Sequence, residues 1–104
     1  MDKNVKYNEP WIMQRADPYV MLAEDGWYYF TASVPAYDMI ILRRAKTLVE
    51  LAEAPEKTIW TRHESGPMSK HIWAPELHYL FGKWYIYYAG GEMEDEWKIR
   101  PYVL

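Results

Sequence analysis

The sequence repeats itself at a fixed offset of 57 residues without a gap, and this feature constrains the fold more than any other. Residues 16–45 align with residues 73–102. Identical residues fall at six aligned pairs of positions: Pro18 and Pro75, Trp27 and Trp84, Tyr28 and Tyr85, Ala32 and Ala89, Asp38 and Asp95, and Arg43 and Arg100. Fixed-period self-similarity is typical of repeat architectures, in which each unit buries its faces against its neighbours. The offset therefore predicts two copies of one structural unit.

Each copy has the pattern of three short β-strands separated by turn residues. The predicted strands are residues 17–23, 27–33 and 39–45 in the first copy, and 73–80, 84–89 and 97–104 in the second. A fourth strand is predicted at residues 58–60, after one or two helical turns that Pro55 ends. We therefore predict an all-β fold that forms about two blades of a β-propeller, near residues 16–60 and 73–104. The second copy shows no fourth strand before Leu104, which indicates the opening part of a larger domain.

The composition excludes several classes of function. Acidic residues slightly outnumber basic ones, 15 to 12, and no basic stripe is present, so we expect no nucleic-acid partner. The absence of cysteine excludes thiol catalysis and zinc–thiolate sites. No apolar run approaches the length of a membrane span, so we expect no membrane partner. Residues 1–9 are polar and do not resemble a signal peptide. If Met1 is the natural start, the expected location is cytoplasmic, whereas the mature form of a secreted protein would have the same sequence.

The first copy opens with a carboxylate directly before a proline, in the segment Arg15-Ala16-Asp17-Pro18-Tyr19. The innermost strand of a propeller blade lines the central channel, and its first residues point at the channel mouth. A carboxylate at that place can activate a water molecule. The alternative is that Asp17 caps a turn, as aspartate before proline often does. The local sequence by itself favours the cap.

The second copy opens with a group of polar and aromatic residues, His71-Ile72-Trp73-Ala74-Pro75-Glu76-Leu77-His78. Trp73 occupies the predicted channel mouth, where an indole stacks on a sugar face, although packing in the core is the commoner fate of an aromatic ring. Glu76 is either a second carboxylate of the site or a strand-end residue paired with a base. His71 and His78 are candidate ligands or proton carriers. Their spacing of seven places them on opposite faces of a strand, which argues against a shared metal ion.

These segments together resemble the N-terminal part of glycoside hydrolase family 43. The resemblance rests on residues 15–19, 28–33, 72–79 and 82–89, which occur in the family's order and cover nearly the whole chain. Residues 62–66 and 99–104 are similar to the branch of α-L-arabinofuranosidases, and β-xylosidases belong to the same family. The expected domain is thus residues 1–104 as the N-terminal part of the family's catalytic domain.

The resemblance implies a five-bladed propeller and an inverting mechanism that needs an acid and a base carboxyl group. Asp17 matches the family's general base, so the resemblance favours its catalytic interpretation over the turn cap. The family's general acid and the aspartate that tunes it lie on later blades and have no counterpart here, and Glu76 does not replace them. Trp73 matches a position near the bound sugar, and we predict His71 and Glu76 as further substrate contacts. The implied substrates are arabinose- or xylose-containing oligosaccharides or polysaccharides. We predict no metal site and no cofactor.

Two alternatives from other functional classes remain open from the sequence. The chain carries aromatic residues suited to sugars but lacks two of the three carboxylates, as a non-catalytic carbohydrate-binding propeller fragment would. Alternatively, two blades leave open sheet faces and an unpaired edge strand, which favour self-association into a homo-oligomer.

Overall fold

The chain folds into two antiparallel β-sheets that follow one another along the sequence, in a computed structural model that describes residues 10–104. The first sheet has the strand order β1-β2-β3-β4 and the second has the order β5-β6-β7. One short helix, α1, lies between β3 and β4. The elements are β1 (Ala16–Leu22), β2 (Tyr28–Ser33), β3 (Met39–Ala45), α1 (Leu48–Leu51), β4 (Lys57–Thr61), β5 (Lys70–Leu80), β6 (Lys83–Gly91) and β7 (Arg100–Val103). We call β1–β4 the first unit and β5–β7 the second unit.

Glycine-containing turns close the first hairpin of each unit. Gly26 has a φ of 85° in the β1–β2 turn, and the Asp25 carboxylate accepts a hydrogen bond of 2.9 Å from the Trp27 N–H. In the second unit, Phe81 and Gly82 connect β5 to β6 with φ values of 53° and 77°. Tight hairpin turns of this kind need positive φ, which glycine adopts without steric cost. These turns fix the register that gives each strand one face toward a core.

Alternate residues of the central strands supply two separate cores. In β3, Ile41 packs with Phe30 and Leu51 in a core between the first sheet and α1, whereas its neighbour Ile40 faces the second sheet. Because successive strand residues point to opposite faces, one strand serves both cores. The core between the sheets consists of Ile40, Ile72, Leu77, Ile86 and Tyr88.

The predicted strands are confirmed in both units; most starts agree within one residue, and two differ by three residues. The second unit's first strand begins at Lys70 rather than residue 73, because Lys70 still pairs with Gly91 across an irregular stretch of the ladder. Its third strand begins at Arg100 rather than Trp97, because residues 92–98 form turns. In these turns the Asp95 N–H donates to the Glu92 carbonyl, and the Lys98 N–H donates to the Asp95 carbonyl. Pro101 lies in the edge strand β7, as expected for a residue without an N–H donor.

Both units contain the same irregularity near the start of the first strand. The pairing of β1 with β2 shifts between Ala16 and Tyr19, and the pairing of β5 with β6 shifts at the aligned positions, between Trp73 and Glu76. Within these bulges, Asp17 and its aligned residue Ala74 have φ values of 50° and 49°. We call these the Asp17 bulge and the Ala74 bulge. Near these bulges, the two units are therefore more similar in backbone conformation than their six identical residues would indicate.

Candidate functional site

The Asp17 bulge places a carboxylate on the surface at the N-terminal end of β1. Asp17 is exposed, and its Oδ2 atom accepts a hydrogen bond of 3.3 Å from the Ser33 hydroxyl at the end of β2. Among the described residues, this is the carboxylate's one hydrogen bond, and no backbone N–H donates to it. Its bonding therefore differs from that of a turn cap, which accepts from a backbone N–H group.

The same hydroxyl connects the two bulges. Ser33 Oγ accepts a hydrogen bond of 2.7 Å from the Ala74 N–H, so a single side chain contacts both units at the strand ends. The end of the molecule that carries Asp17 thus also carries the start of β5. A cavity of about 390 Å³ opens beside it, bordered by Ala16, Ser33 and Tyr37 among others.

An aromatic cluster surrounds His71, next to the Ala74 bulge. The His71 ring centroid lies 4.4 Å from that of Trp73, 5.5 Å from that of Trp97 and 6.0 Å from that of Tyr37. Tyr37 also meets Trp73 edge to face, with centroids 5.6 Å apart. Trp97 is 71% exposed, so part of this cluster is open to solvent. Exposed aromatic faces of this kind suit the apolar face of a sugar ring.

His71 has hydrogen-bonding capacity that the described residues leave unused. Both of its ring nitrogens are buried and have no hydrogen-bond partner there. Glu96 Oε2 lies 3.7 Å from His71 Nε2, beyond hydrogen-bond distance, and forms its closer ion pair of 2.7 Å with Lys70. The Lys70 hydrogen bond and charge hold the pKa of Glu96 below its usual value. Because both nitrogens lack solvent contact, a ligand would reach them only if a neighbouring side chain moved.

Glu76 lies apart from Asp17 and the aromatic cluster. Its Oε1 atom is 3.2 Å from His78 Nε2, and the His78 ring in turn packs against Tyr19 and Tyr87. Among the described residues, no hydrogen bond or ion pair joins Glu76 to Asp17, His71 or Trp73. The structure thus brings Trp73 and His71 together and places Glu76 farther along β5.

Two arginines fix the segment that precedes Asp17. Glu56 accepts hydrogen bonds from Arg15 and from Arg43 of β3, and Arg43 also donates to the Leu51 and Ala52 carbonyls at the end of α1. Partial burial, the largest single influence, would raise the pKa of Glu56. The hydrogen bonds and charges of Arg15 and Arg43 together outweigh it and hold that pKa below 4.5. This arrangement, which we call the Glu56 clamp, ties the start of β1 to the body of the first unit.

Residues 10–104 contain neither a cluster of metal ligands nor a membrane-spanning helix. No group of three or more His, Asp or Glu side chains there is placed to hold a metal ion. No helix in that range has the length and apolar character to cross a membrane. A cavity of about 410 Å³ lies at the opposite strand ends, lined by Met21, Tyr79 and Trp84 among others, and does not include Asp17 or His71.

Sequence reasoning missed three residues of this surface. Tyr37 and Trp97 come from the connections between strands, where periodicity gives no signal. Ser33 differs from its aligned residue Gly90, but so do most aligned pairs of the repeat, so the sequence does not single it out.

Comparison with known proteins identifies the class: the sequence model of Glycosyl hydrolases family 43 matches residues 7–104, so the chain belongs to that family. It is 57% identical over 101 residues to the extracellular exo-α-(1→5)-L-arabinofuranosidase of Streptomyces avermitilis, and 54% identical over 100 residues to α-L-arabinofuranosidase 43 of Humicola insolens. These matches cover 97% and 96% of this chain but 21% of each relative.

Solved structures agree with this assignment. The α-L-arabinofuranosidase of Lactobacillus brevis superposes with a TM-score of 0.82 at 53% identity, over 90% of this chain and 31% of that chain. A thermostable family-43 glycoside hydrolase superposes with a TM-score of 0.62 at 18% identity, over 86% of this chain and 28% of that chain, and shares the fold. The chain therefore corresponds to less than a third of the length of these relatives.

Proposed function

We propose that residues 1–104 form the N-terminal part of the catalytic domain of a longer enzyme, as about two blades of a five-bladed β-propeller. The first and second units are the two blades, with β1 and β5 innermost, and both strands lie at the edges of their sheets. The shares of 21% to 31% that the chain covers in its relatives support a longer protein. We call this protein the parent enzyme.

The parent enzyme is proposed to be an inverting glycoside hydrolase that removes terminal α-L-arabinofuranosyl groups from plant polysaccharides or oligosaccharides. The names of the similar proteins from Streptomyces, Humicola and Lactobacillus favour the arabinosyl substrate over the β-xylosyl one. The relative from Streptomyces avermitilis is named extracellular, which favours a secreted parent enzyme over a cytoplasmic one.

Asp17 is proposed as the general base, and one observation carries this assignment. The Ala74 bulge has the same shift in strand pairing and nearly the same φ as the Asp17 bulge without any carboxylate, so the bulge does not need one. Asp17 is also exposed, as a base must be to reach water. In an inverting enzyme the base removes a proton from a water molecule on the face of the sugar opposite the acid.

Trp73, His71 and Glu76 are proposed to contact the substrate. The partly exposed Trp73 ring provides a stacking surface, and the His71 ring packs 4.4 Å from it. The His71 nitrogens have no solvent contact in this structure, so their hydrogen bonds to sugar hydroxyls require a neighbouring ring of the cluster to move. Glu76 borders a separate cavity with Ala74 and Tyr87, where its exposed carboxylate would meet a more distant part of the substrate. An aromatic surface with a few polar groups is the usual composition of a ligand site.

The function is tested by the products of the parent enzyme. With a 4-nitrophenyl α-L-arabinofuranoside, proton NMR of the first product should show the anomer opposite to that of the substrate, and the matching β-xyloside should be cleaved more slowly. A retained configuration or preferred cleavage of the xyloside would contradict this proposal. The 104-residue chain by itself should be inactive, because loss of general acid catalysis costs about 10²–10⁴-fold in rate.

A second candidate is self-association of the 104-residue chain, favoured by its free edge strands. Within the described residues, β4 and β7 each have one neighbour, and exposed apolar side chains such as Val103 and Ile59 lie on them. Unpaired edges bind other strands. Light scattering of the purified chain over a range of concentrations should show a dimer or larger oligomer if this is its behaviour, and a constant monomer if it is not.

A further inference from the structure

The direction of the Ser33 O–H bond is defined, because the hydroxyl accepts one hydrogen bond and donates the other. It is 2% exposed, and its oxygen accepts from the Ala74 N–H at 2.7 Å. A hydroxyl carries one hydrogen, and a backbone N–H can only donate. The hydrogen of Ser33 is therefore free to point at Asp17 Oδ2, which lies 3.3 Å away.

The second unit shows that this polar pair is not part of the repeat. At the aligned positions Ala74 replaces Asp17 and Gly90 replaces Ser33, and yet the bulge has the same φ. The carboxylate and the hydroxyl are thus present together in one unit and absent together in the other. The bulge therefore forms without this hydroxyl, which in the first unit bonds both to the Asp17 carboxylate and to the Ala74 N–H.

We propose that Ser33 is a positioning residue for the reaction: it holds Asp17 by Oδ2, so that Oδ1 remains free to accept a proton from the attacking water. This inference rests on the proposed role of Asp17 as the base. The Ala74 N–H contributes by fixing the orientation of the hydroxyl, so the second unit helps to position a group of the first. A carboxylate held by one oxygen keeps one rotamer, and small errors in placing a reacting group are costly.

The first test is the Ser33→Ala variant of the parent enzyme. We expect kcat to fall about 10- to 100-fold, the range expected for a misplaced reacting group, while KM stays within about twofold. Ser33→Thr, which keeps the hydroxyl, should recover most of the activity. Ser33→Gly, which copies the residue of the second unit, provides a second variant if Ser33→Ala folds poorly. Thr31→Val is the matched control, because Thr31 is another buried hydroxyl of β2 and donates to the Ile41 carbonyl at 2.7 Å.

The decisive measurement is a double-mutant cycle in kcat. If Ser33 acts through Asp17, Ser33→Ala should cause no further loss in an Asp17→Asn background, whereas Thr31→Val should behave alike in both backgrounds. Equal losses in both backgrounds would show a merely structural role and overturn the proposal, as would a kcat of Ser33→Ala within twofold of wild type. If Asp17→Asn itself keeps the wild-type kcat, the proposed base is wrong and the Ser33 proposal is overturned with it. Loss of kcat in Asp17→Asn without any loss in Ser33→Ala overturns the Ser33 proposal and leaves the base assignment intact.

Discussion

The Asp17 bulge and the Ala74 bulge have the same backbone and different chemistry. Both interrupt the first strand of a unit, both precede a proline, and their φ values are 50° and 49°. In the first bulge, the Asp17 carboxylate accepts a hydrogen bond from the Ser33 hydroxyl. In the second unit, Ala74 replaces the aspartate and Gly90 replaces the serine. Since the fold makes the bulge without the polar pair, the pair is free to serve the chemistry of the first unit.

The two units also differ in how they use an aligned arginine. Arg43 bonds to Glu56 and to two carbonyls at the end of α1. Arg100 is exposed, and within residues 10–104 its one side-chain hydrogen bond goes to the neighbouring Ile99 carbonyl. The first unit therefore has both the candidate base and a polar clamp that holds the strand before it. The second unit supplies an aromatic surface and a backbone donor. The two units thus share a backbone arrangement but contribute different groups to the candidate site.

The largest expected effect is on the chemistry of the Asp17 bulge. Asp17→Asn in the parent enzyme should lower kcat by about 10²–10⁴-fold, because the amide cannot accept the proton of the attacking water. KM should stay near the wild-type value, since the lost interaction belongs to the transition state. Steady-state kinetics on an aryl arabinofuranoside checks this. A kcat within a few-fold of wild type would end the catalytic assignment.

The next largest effect is a difference in the free energy of unfolding between variants of the two aligned arginines. Arg43→Met in the 104-residue chain should lower the free energy of unfolding by about 2 kcal/mol, because hydrogen bonds to a carboxylate and to carbonyls are lost while the aliphatic stem is kept. Arg100→Met should change it by less than about 0.5 kcal/mol, as is usual at exposed positions. Urea unfolding of both variants measures the difference. Equal losses would show that the clamp does not distinguish the units.

The Glu56 clamp also predicts a dependence of stability on pH. The pKa of Glu56 is lowered in the folded state, so its contribution is present above the unfolded-state value of about 4.5 and is lost as the pH falls through the lower folded-state value. Glu56→Gln should therefore reduce the stability at pH 7 by about 1 kcal/mol and have less effect at pH 3. A loss that is the same at both pH values would contradict the clamp.

The smallest effect concerns strain in the Ala74 bulge. Ala74 has positive φ before a proline, a conformation that costs a residue with a Cβ atom about 1–2 kcal/mol. Ala74→Gly should raise the free energy of unfolding by up to about 1 kcal/mol, because glycine also loses more backbone entropy on folding. Thermal and urea unfolding check this. A destabilised variant would mean that the alanine methyl makes a packing contribution larger than the strain.

Much of the fold was predictable, because strands, turns and cores depend on local patterns. The aromatic runs at residues 27–30 and 84–88 and the turn glycines predicted β2, β6 and their hairpins. The start of β5 was misplaced because the ladder continues past an irregularity at His71, which also has positive φ. No local pattern signals such a continuation.

The candidate site was predictable only where a motif or an aligned position marked it. Asp17 and Trp73 followed from the segments that resemble the family. The clamp joins Glu56 to residues 13 and 41 positions away, and Tyr37 and Trp97 reach His71 from connecting segments. Such contacts depend on how the strands and their connections pack, which periodicity does not describe.

The most direct test of the difference between the bulges is to give the first one the side chain of the second. Asp17→Ala should leave the free energy of unfolding of the 104-residue chain within about 0.5 kcal/mol of wild type, since Ala74 already forms the same backbone, as expected for a surface position without a structural role. In the parent enzyme the same change should remove nearly all turnover. A loss of about 1 kcal/mol or more, typical of a lost cap, together with a kcat near that of wild type, would show that Asp17 serves the fold instead.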